Sequence, residues 1–447
     1  MCHVRRAAMW GATRTARSDS LERLMKNIPF YLIVPVVALV GSSVVASAED
    51  ITPSSQDPIT DVRGQSVRER ARPGYDAVGI RAGSFLILPK VDLGESYNDN
   101  IYATDTNTKS DFVTSVAPSI KVQSLWSRHA LNLKAGLDQY WYNSHSSEDR
   151  LNWNVGADGR LDVLRDTYLT GALGYQLAHE DRGSTNSSTS AAEPVEYNLF
   201  ESSLGLFQRF NRVTAKLSGA FNQYDYKNVA QIGGGTINED VRDRNEYIGK
   251  LRLGYDLSPD TNVYAEGTLN KRSYDTSVPV DRNSDGYEAV IGSEFKLSAL
   301  AQGEVYVGYQ RQQYDASYYS ATSGLAYGAK VNWFVTPLTT VRITAASTIQ
   351  ESIDPGASGY TSQKVGLGLD HELLRNLILS GDVAYENDDF GNISRKDDVT
   401  SGSVGATYLL NNFFAVGINY GIVDRSSNVS GADYTQNQIG FTLRGQL

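Results

Sequence analysis

Leu131-Asn132-Leu133-Lys134-Ala135-Gly136-Leu137-Asp138 decides the fold. Side chains on a strand point alternately to opposite faces, so Leu131, Leu133, Ala135 and Leu137 share one oily face. Asn132, Lys134, Gly136 and Asp138 share the other. Val213, Ala215, Leu217, Gly219 and Phe221 repeat the pattern against Thr214, Lys216, Ser218, Ala220 and Asn222. Strand-length stretches of this kind run from Phe85 to the end of the chain. So many consecutive half-oily strands have too many edges to stay open and lack the segregated core of a sandwich. A closed antiparallel transmembrane β-barrel, apolar outside and polar inside, is the all-β architecture that satisfies them.

Punctuation fixes the strand number. Tight turns are expected at Trp126-Ser127-Arg128, Leu164-Arg165-Asp166, Phe210-Asn211-Arg212, Ser258-Pro259-Asp260, Ser298-Ala299, Thr336-Pro337, Leu374-Arg375-Asn376 and Asn411-Asn412. Longer polar connections fall at 98–110, 143–149, 181–196, 227–243, 274–284, 315–318, 352–358, 389–396 and 426–433. Eight turns and nine loops join eighteen strands, with sixteen as the alternative if the strand holding Pro89 or the short link at 315–318 fails. Even strand numbers with short inner turns and long outer loops are the outer-membrane pattern. The expected domains are 1–48, an upstream extension and secretory signal; 49–83, a flexible periplasmic lead-in; and 84–447, the barrel.

The signal reading rests on Lys26, the apolar run that follows it, and the small-residue site Ala46-Ser47-Ala48 before Glu49-Asp50. Cleavage is expected after Ala48. The basic stretch ahead of Met25 leaves Met1 and Met25 both open as the start. The lead-in is polar, with Pro53, Pro58 and Pro73, and carries Arg63, Arg68, Arg70 and Arg72. A solvated linker is expected there, with a short plug as the rival. The only cysteine is Cys2, so the mature chain is expected to have no disulfide. The net charge of −10 argues against nucleic acid as a partner. Mean hydropathy is −0.35, too low for a helical membrane protein but compatible with a barrel, whose oiliness is hidden in alternation.

Aromatic residues gather at two levels, as they do at membrane–water boundaries. Tyr140-Trp141-Tyr142, Tyr224, Tyr226, Tyr274, Tyr314 and Tyr385 lie near loop ends; Trp126, Phe210, Trp333, Phe413 and Phe414 lie near turns. The last strand alternates Ile439, Phe441 and Leu443 with Gln438, Gly440, Thr442 and Arg444, which suits closure against the first. It is similar to the C-terminal insertion signal of outer-membrane proteins, although the chain ends in Leu447 where an aromatic residue is usual.

Gly83-Ser84-Phe85, Tyr97-Asn98-Asp99-Asn100-Ile101-Tyr102, Ser110-Asp111-Phe112, Pro118 and Trp126-Ser127-Arg128-His129 together resemble the start of the beta-barrel porin 2 family. Leu338-Thr339-Thr340-Val341, Glu372-Leu373 and Arg395-Lys396-Asp397-Asp398 echo it later, and the resemblance spans most of 75–447. It implies an outer-membrane barrel, with some members tied to exopolysaccharide or capsule secretion. It carries no catalytic residues.

The residues themselves point away from chemistry. His145 beside Asp149 could supply two members of a Ser–His–Asp set, but such pairs arise easily in polar loops. Asp240, Asp243, Asp388, Asp389, Asp397 and Asp398 lack the fixed loop of a calcium site. Gly233-Gly234-Gly235 lacks the lysine of a phosphate loop. No enzyme activity, cofactor or metal is therefore expected. Alternation instead sends Lys134, Asp138, Lys216, Lys250, Arg252, Tyr264, Glu266, Glu294, Tyr306, Lys330, Arg342, Asp382 and Arg444 into the lumen. Their mixed signs dictate no strong ion selectivity. Three functions stay open: a conduit for an extracellular polysaccharide, served by a periplasmic polysaccharide-export protein; a diffusion porin for small solutes, favoured if loop 181–196 or 227–243 folds into the lumen; and a structural or adhesive surface barrel. All three place the chain in the cell outer membrane, in contact with its lipid and dependent on the barrel-assembly machinery.

Overall fold

The computed structural model describes residues 64–276, 281–297 and 300–447. The signal segment, its cleavage site and the Ser298-Ala299 turn lie outside the described residues. Eighteen long strands carry the fold. The first six are β1 (Phe85–Asn98), β2 (Asp111–Ser124), β3 (Ala130–Tyr142), β4 (Arg150–Leu164), β5 (Thr167–His179) and β6 (Glu196–Phe210). β7 (Val213–Tyr226), β8 (Arg244–Ser258), β9 (Thr261–Tyr274), β10 (Ser284–Leu297), β11 (Ala301–Tyr314) and β12 (Thr322–Thr336) follow. β13 (Thr339–Gln350), β14 (Tyr360–Leu374), β15 (Leu377–Phe390), β16 (Lys396–Leu409), β17 (Phe414–Ser427) and β18 (Tyr434–Gln446) complete the set.

Each strand pairs antiparallel with its neighbours in sequence, and β1 pairs with β18 from Lys90↔Gln446 to Asn98↔Gln438. The sheet is thereby closed, and the strand number is eighteen, not sixteen. Pro89 does not break β1, because that position lies below the last β18 pair and needs no donor on that side. The register shifts by one residue at Asp162/Leu164, Asp256/Ser258, Phe334/Thr336 and Glu372/Leu374. All four bulges sit beside tight turns, where an extra residue adds the twist that a two-residue reversal needs. At the turn between β6 and β7, Asn211 adopts φ +59°, a conformation asparagine tolerates well.

The expected lipid face carries the apolar side chains. Leu251, Leu253 and Tyr255 are exposed on the outside of β8, and Arg252 between them is not. Near the turns Trp126, Phe210, Trp333, Phe413 and Phe414 are exposed. The loop-end level needs a correction. Trp141 and Tyr385 face out, but Tyr224, Tyr226, Tyr274 and Tyr314 are buried on the inside. They share strand parity with inward residues such as Asn222, Thr268 and Gln312, so they cannot meet lipid. The outer ring is built instead from Tyr97, Tyr175, Tyr247, Tyr287, Tyr309 and Tyr420, all exposed and all on the outward parity.

A second correction concerns the lead-in. Over residues 64–82 it is not a solvated linker. Val67 is 0% exposed and packs on Ile378, Leu409 and Ala415. The chain then forms a short strand, Ile80–Ala82, that pairs with Phe85–Ile87 of β1. Residues 49–63 lie outside the described residues.

Candidate functional site

The inner face of the barrel gathers the charged side chains of many strands, and its character changes with height. Most of the thirteen expected lumen residues alternate with apolar neighbours on the opposite face; Gln139 beside Asp138 and Ser293 beside Glu294 are polar. Arg252 sits at the centre of the best-defined group. It pairs with Glu266 at 2.6 Å, with Glu304 at 3.0 Å and with Glu294, and it lies 3.8 Å above the Tyr264 ring. The Tyr264 hydroxyl donates to Glu304, and Tyr306 packs beside Tyr264 against Val290 and Ala326. Lys216 stands across from Arg252, and Lys330 across from Glu304. Three carboxylates around one guanidinium, bordered by two lysines, leave this wall close to neutral.

Elsewhere the thirteen separate into smaller sets. Arg342 bridges Asp370 at 2.9 Å and Asp382 at 2.7 Å. Arg444 holds Asp92 at 2.8 Å across the closing seam. Lys250 lies between Ser218 and Thr268, Asp138 opposite Asn152, and Lys134 directly opposite Lys121. Glu294 and Asp382 have half-exposed side chains, which is what inner-face residues show when the space in front of them holds solvent.

At the loop end the inner face is covered. The connection at 180–195, between β5 and β6, reaches across the ring. The Thr185 hydroxyl donates to Asp388 on β15 at 2.8 Å. The Asn186 amide donates to the Glu351 carbonyl at 2.9 Å, past the end of β13. The Tyr434 hydroxyl, on β18, donates to the Gly183 carbonyl at 3.0 Å. Arg182 fixes the base of this bridge on Glu148 at 2.6 Å and on the Ala191 carbonyl at 2.7 Å. The second long candidate, 227–243, lies mainly along its own wall: Arg242 pairs with Glu239 at 2.9 Å and with Glu180, and stacks 3.9 Å over Tyr226. Arg244 pairs with Glu246 at 2.8 Å and stacks over Tyr224, while Arg272 and the Tyr274 hydroxyl both hold Glu351.

This belt of arginine, tyrosine and carboxylate was missed in the sequence. The signal was present in strand parity: Tyr224, Arg244, Arg272 and Tyr274 fall on the inward count. Buried arginines survive here because each has a carboxylate, and Arg242 and Arg244 also have an aromatic face. Two carboxyls outside the strands respond to burial. Glu180 is pushed upward by desolvation, against the pull of Arg242. Asp243 is pushed up to about 6, first by burial and then by Asp225, Asp240 and Asp275, although the Tyr226 N–H opposes the shift. His145 and Asp149, neighbours in sequence, do not pair: His145 Nδ1 meets Asp111 at 2.8 Å, and Asp149 accepts the Tyr142 N–H.

At the turn end, residues 66–76 rest on the inner face of β13–β18. Arg68 pairs with Asp370 at 3.0 Å, and Arg70 and Arg72 both pair with Glu372 at 3.2 Å.

Comparison with solved structures returns large outer-membrane barrels at low similarity. A mutant of the ferric enterobactin receptor from Pseudomonas aeruginosa is 6% identical, with a TM-score of 0.42, covering 81% of this chain and 80% of that one. The siderophore receptor PirA from Acinetobacter baumannii is 8% identical, with a TM-score of 0.42 over 81% of this chain and 80% of that one. OccAB4 from Acinetobacter baumannii is 12% identical, with a TM-score of 0.42 over 81% of this chain and 98% of that one. No curated protein matches the chain. The family described as "Putative beta-barrel porin 2" matches residues 72–447, the whole of the described barrel and part of the segment beneath it. The chain belongs to that beta-barrel porin family.

Proposed function

We propose that this barrel is an outer-membrane diffusion porin for small polar solutes, with its turns in the periplasm and its loops outside. The observation that carries this reading is the bridge at 180–195, tied to β13, β15 and β18. An eighteen-stranded barrel is wide enough for an aqueous lumen. A loop across the mouth divides that width, which suits a size-limited passage for small molecules. It weighs against a polymer conduit, which needs an unobstructed path along its whole length. The balanced charges around Arg252 favour weak ion selectivity.

The test is reconstitution in planar bilayers and liposomes. Stepwise ion conductance, and swelling with small sugars that stops at a size limit, is the expected result. Thr185→Ala combined with Asn186→Ala should raise that limit by untying the bridge. Absence of conductance in both forms, with heat-modifiable folded protein on gels, would sink the channel reading. Loss of surface polysaccharide in a deletion strain, with unchanged solute permeability, would favour export instead.

A further inference from the structure

The segment beneath the barrel is held in a way that suits release. We propose that residues 64–76 form a strap that narrows the turn-end mouth and limits conduction until it lifts. This rests on the channel reading above and adds a closing element to it.

Placement is the first argument. The Val67 N–H donates to the Thr340 hydroxyl on β13 at 3.0 Å, and its side chain sits on Ile378 of β15, Leu409 of β16 and Ala415 of β17. Arg68, Arg70 and Arg72 reach Asp370 and Glu372 on β14. The carbonyls of Asp76 and Tyr75 accept from Asn412 at 2.8 Å and from Gln446 of β18 at 3.1 Å. The segment therefore touches six consecutive strands, a third of the ring, always on the inward face. A chain seated there takes up part of the opening that solutes would use.

The balance of contacts is the second argument. Val67 is the one fully buried apolar side chain in the segment; Tyr75 adds a partly buried ring. The rest of the grip is polar: a few hydrogen bonds, to Thr340, Asn412 and Gln446, and a set of ion pairs that is unevenly matched. Three strap arginines and Arg375 meet Asp370, Glu372 and Asp76, and Asp370 is shared with Arg342. Arg70 Nε and Arg72 Nε are buried without an acceptor. Unpaired buried donors cost stability, and a shared carboxylate cannot neutralise every partner. Burial also lowers the proton affinity of both guanidiniums, with Glu372 opposing it. Added salt weakens chiefly the contacts of the partly exposed Arg68 and Arg375, while the buried Arg70 and Arg72 pairs and the ladder hydrogen bonds of the wall are screened much less. The strap is thus the part of the molecule that can leave while the wall persists.

The experiment compares three forms of the full chain in planar bilayers: wild type, Glu372→Gln, and a variant lacking residues 64–76. Trypsin digestion of the folded protein reads the strap directly, because the bonds after Arg68 and Arg70 are cleavable only when it lifts; the Arg72–Pro73 bond resists trypsin in either state. Wild type should resist cleavage there and Glu372→Gln should not. Both altered forms should show a conductance step at least ~1.5-fold larger than wild type, or a larger open substate that wild type visits rarely. Equal conductance in all three forms, with cleavage confirming that the strap has left, would overturn the strap while the channel reading stands. Failure of both altered forms to fold, judged by heat-modifiability, would overturn it in favour of a purely structural clamp. If none conducts, the channel reading itself fails and the strap falls with it.

Discussion

Single residues define which surface is wet. Leu253 stands on the lipid face, 53% exposed, one position from Arg252 in its nest of carboxylates. Leu253→Arg should cost about 2–4 kcal/mol of folding stability in lipid, because a charge near mid-membrane has no partner; urea titration of vesicle-inserted protein measures it. Arg252→Leu should act on function instead. It strips the cation from Glu266, Glu294 and Glu304, so the reversal potential in a salt gradient should move toward cation preference. An unchanged potential would mean that these carboxylates do not border the conducting path. Asp243 gives a pH signature. Its carboxyl titrates at about 6, above the ordinary 3.8, so the folded loop binds its proton more tightly than the unfolded chain does. The stability this contributes is complete below 3.8 and is lost as pH rises through 6. Limited proteolysis of loop 227–243 should therefore be slower at pH 4 than at pH 7, and Asp243→Asn, which still accepts the Tyr226 N–H, should remove most of that difference.

At the scale of elements, alternation and turn chemistry were legible and long-range contacts were not. The turns at Arg165-Asp166 and Asn211-Arg212 could be read from polar residues interrupting an apolar period, because both signals are local. Loop boundaries moved by a residue or a few, as at 315–321 where 315–318 was expected. The buried tyrosines were misplaced because nearness to a loop was weighed above strand parity. The bridge at 180–195 and the strap had no local signature beyond polarity: Thr185 finds Asp388, and Arg70 finds Glu372, across some two to three hundred residues of chain. Some elements also carry constraints that only coordinates expose. On β11, a Cβ added to Gly308 would run into the backbone carbonyl of Ala289 on β10. Gly308→Ala should cost about 1–3 kcal/mol through forced backbone movement and lower the yield of folded barrel on semi-native gels. Gly249→Ala, on β8 where nothing lies within 4 Å, is the matched control and should be tolerated.

For the whole molecule, the sequence disclosed a closed barrel of eighteen strands because edge-free closure is the one solution for so many half-oily strands. What it left open was what fills the two mouths, since that depends on side chains that meet only once the ring is shut. The closing seam shows how the ring finds its register. β18 pairs with β1 from Lys90 upward, with Leu447 bonding the Pro89 carbonyl just below, while the lower edge of β1, Phe85–Ile87, is already taken by Ile80–Ala82. That small hairpin is local in sequence and can form before the two ends of the barrel meet. It then acts as a doorstop: an incoming last strand cannot slide down over Phe85–Ile87, and a neighbouring molecule finds fewer free peptide groups to template upon. A slip of a single position would turn Phe441 and Leu443 toward water and Arg444 toward lipid. Three residues that belong to neither of the strands being joined thus bound how far the last strand can travel along the first.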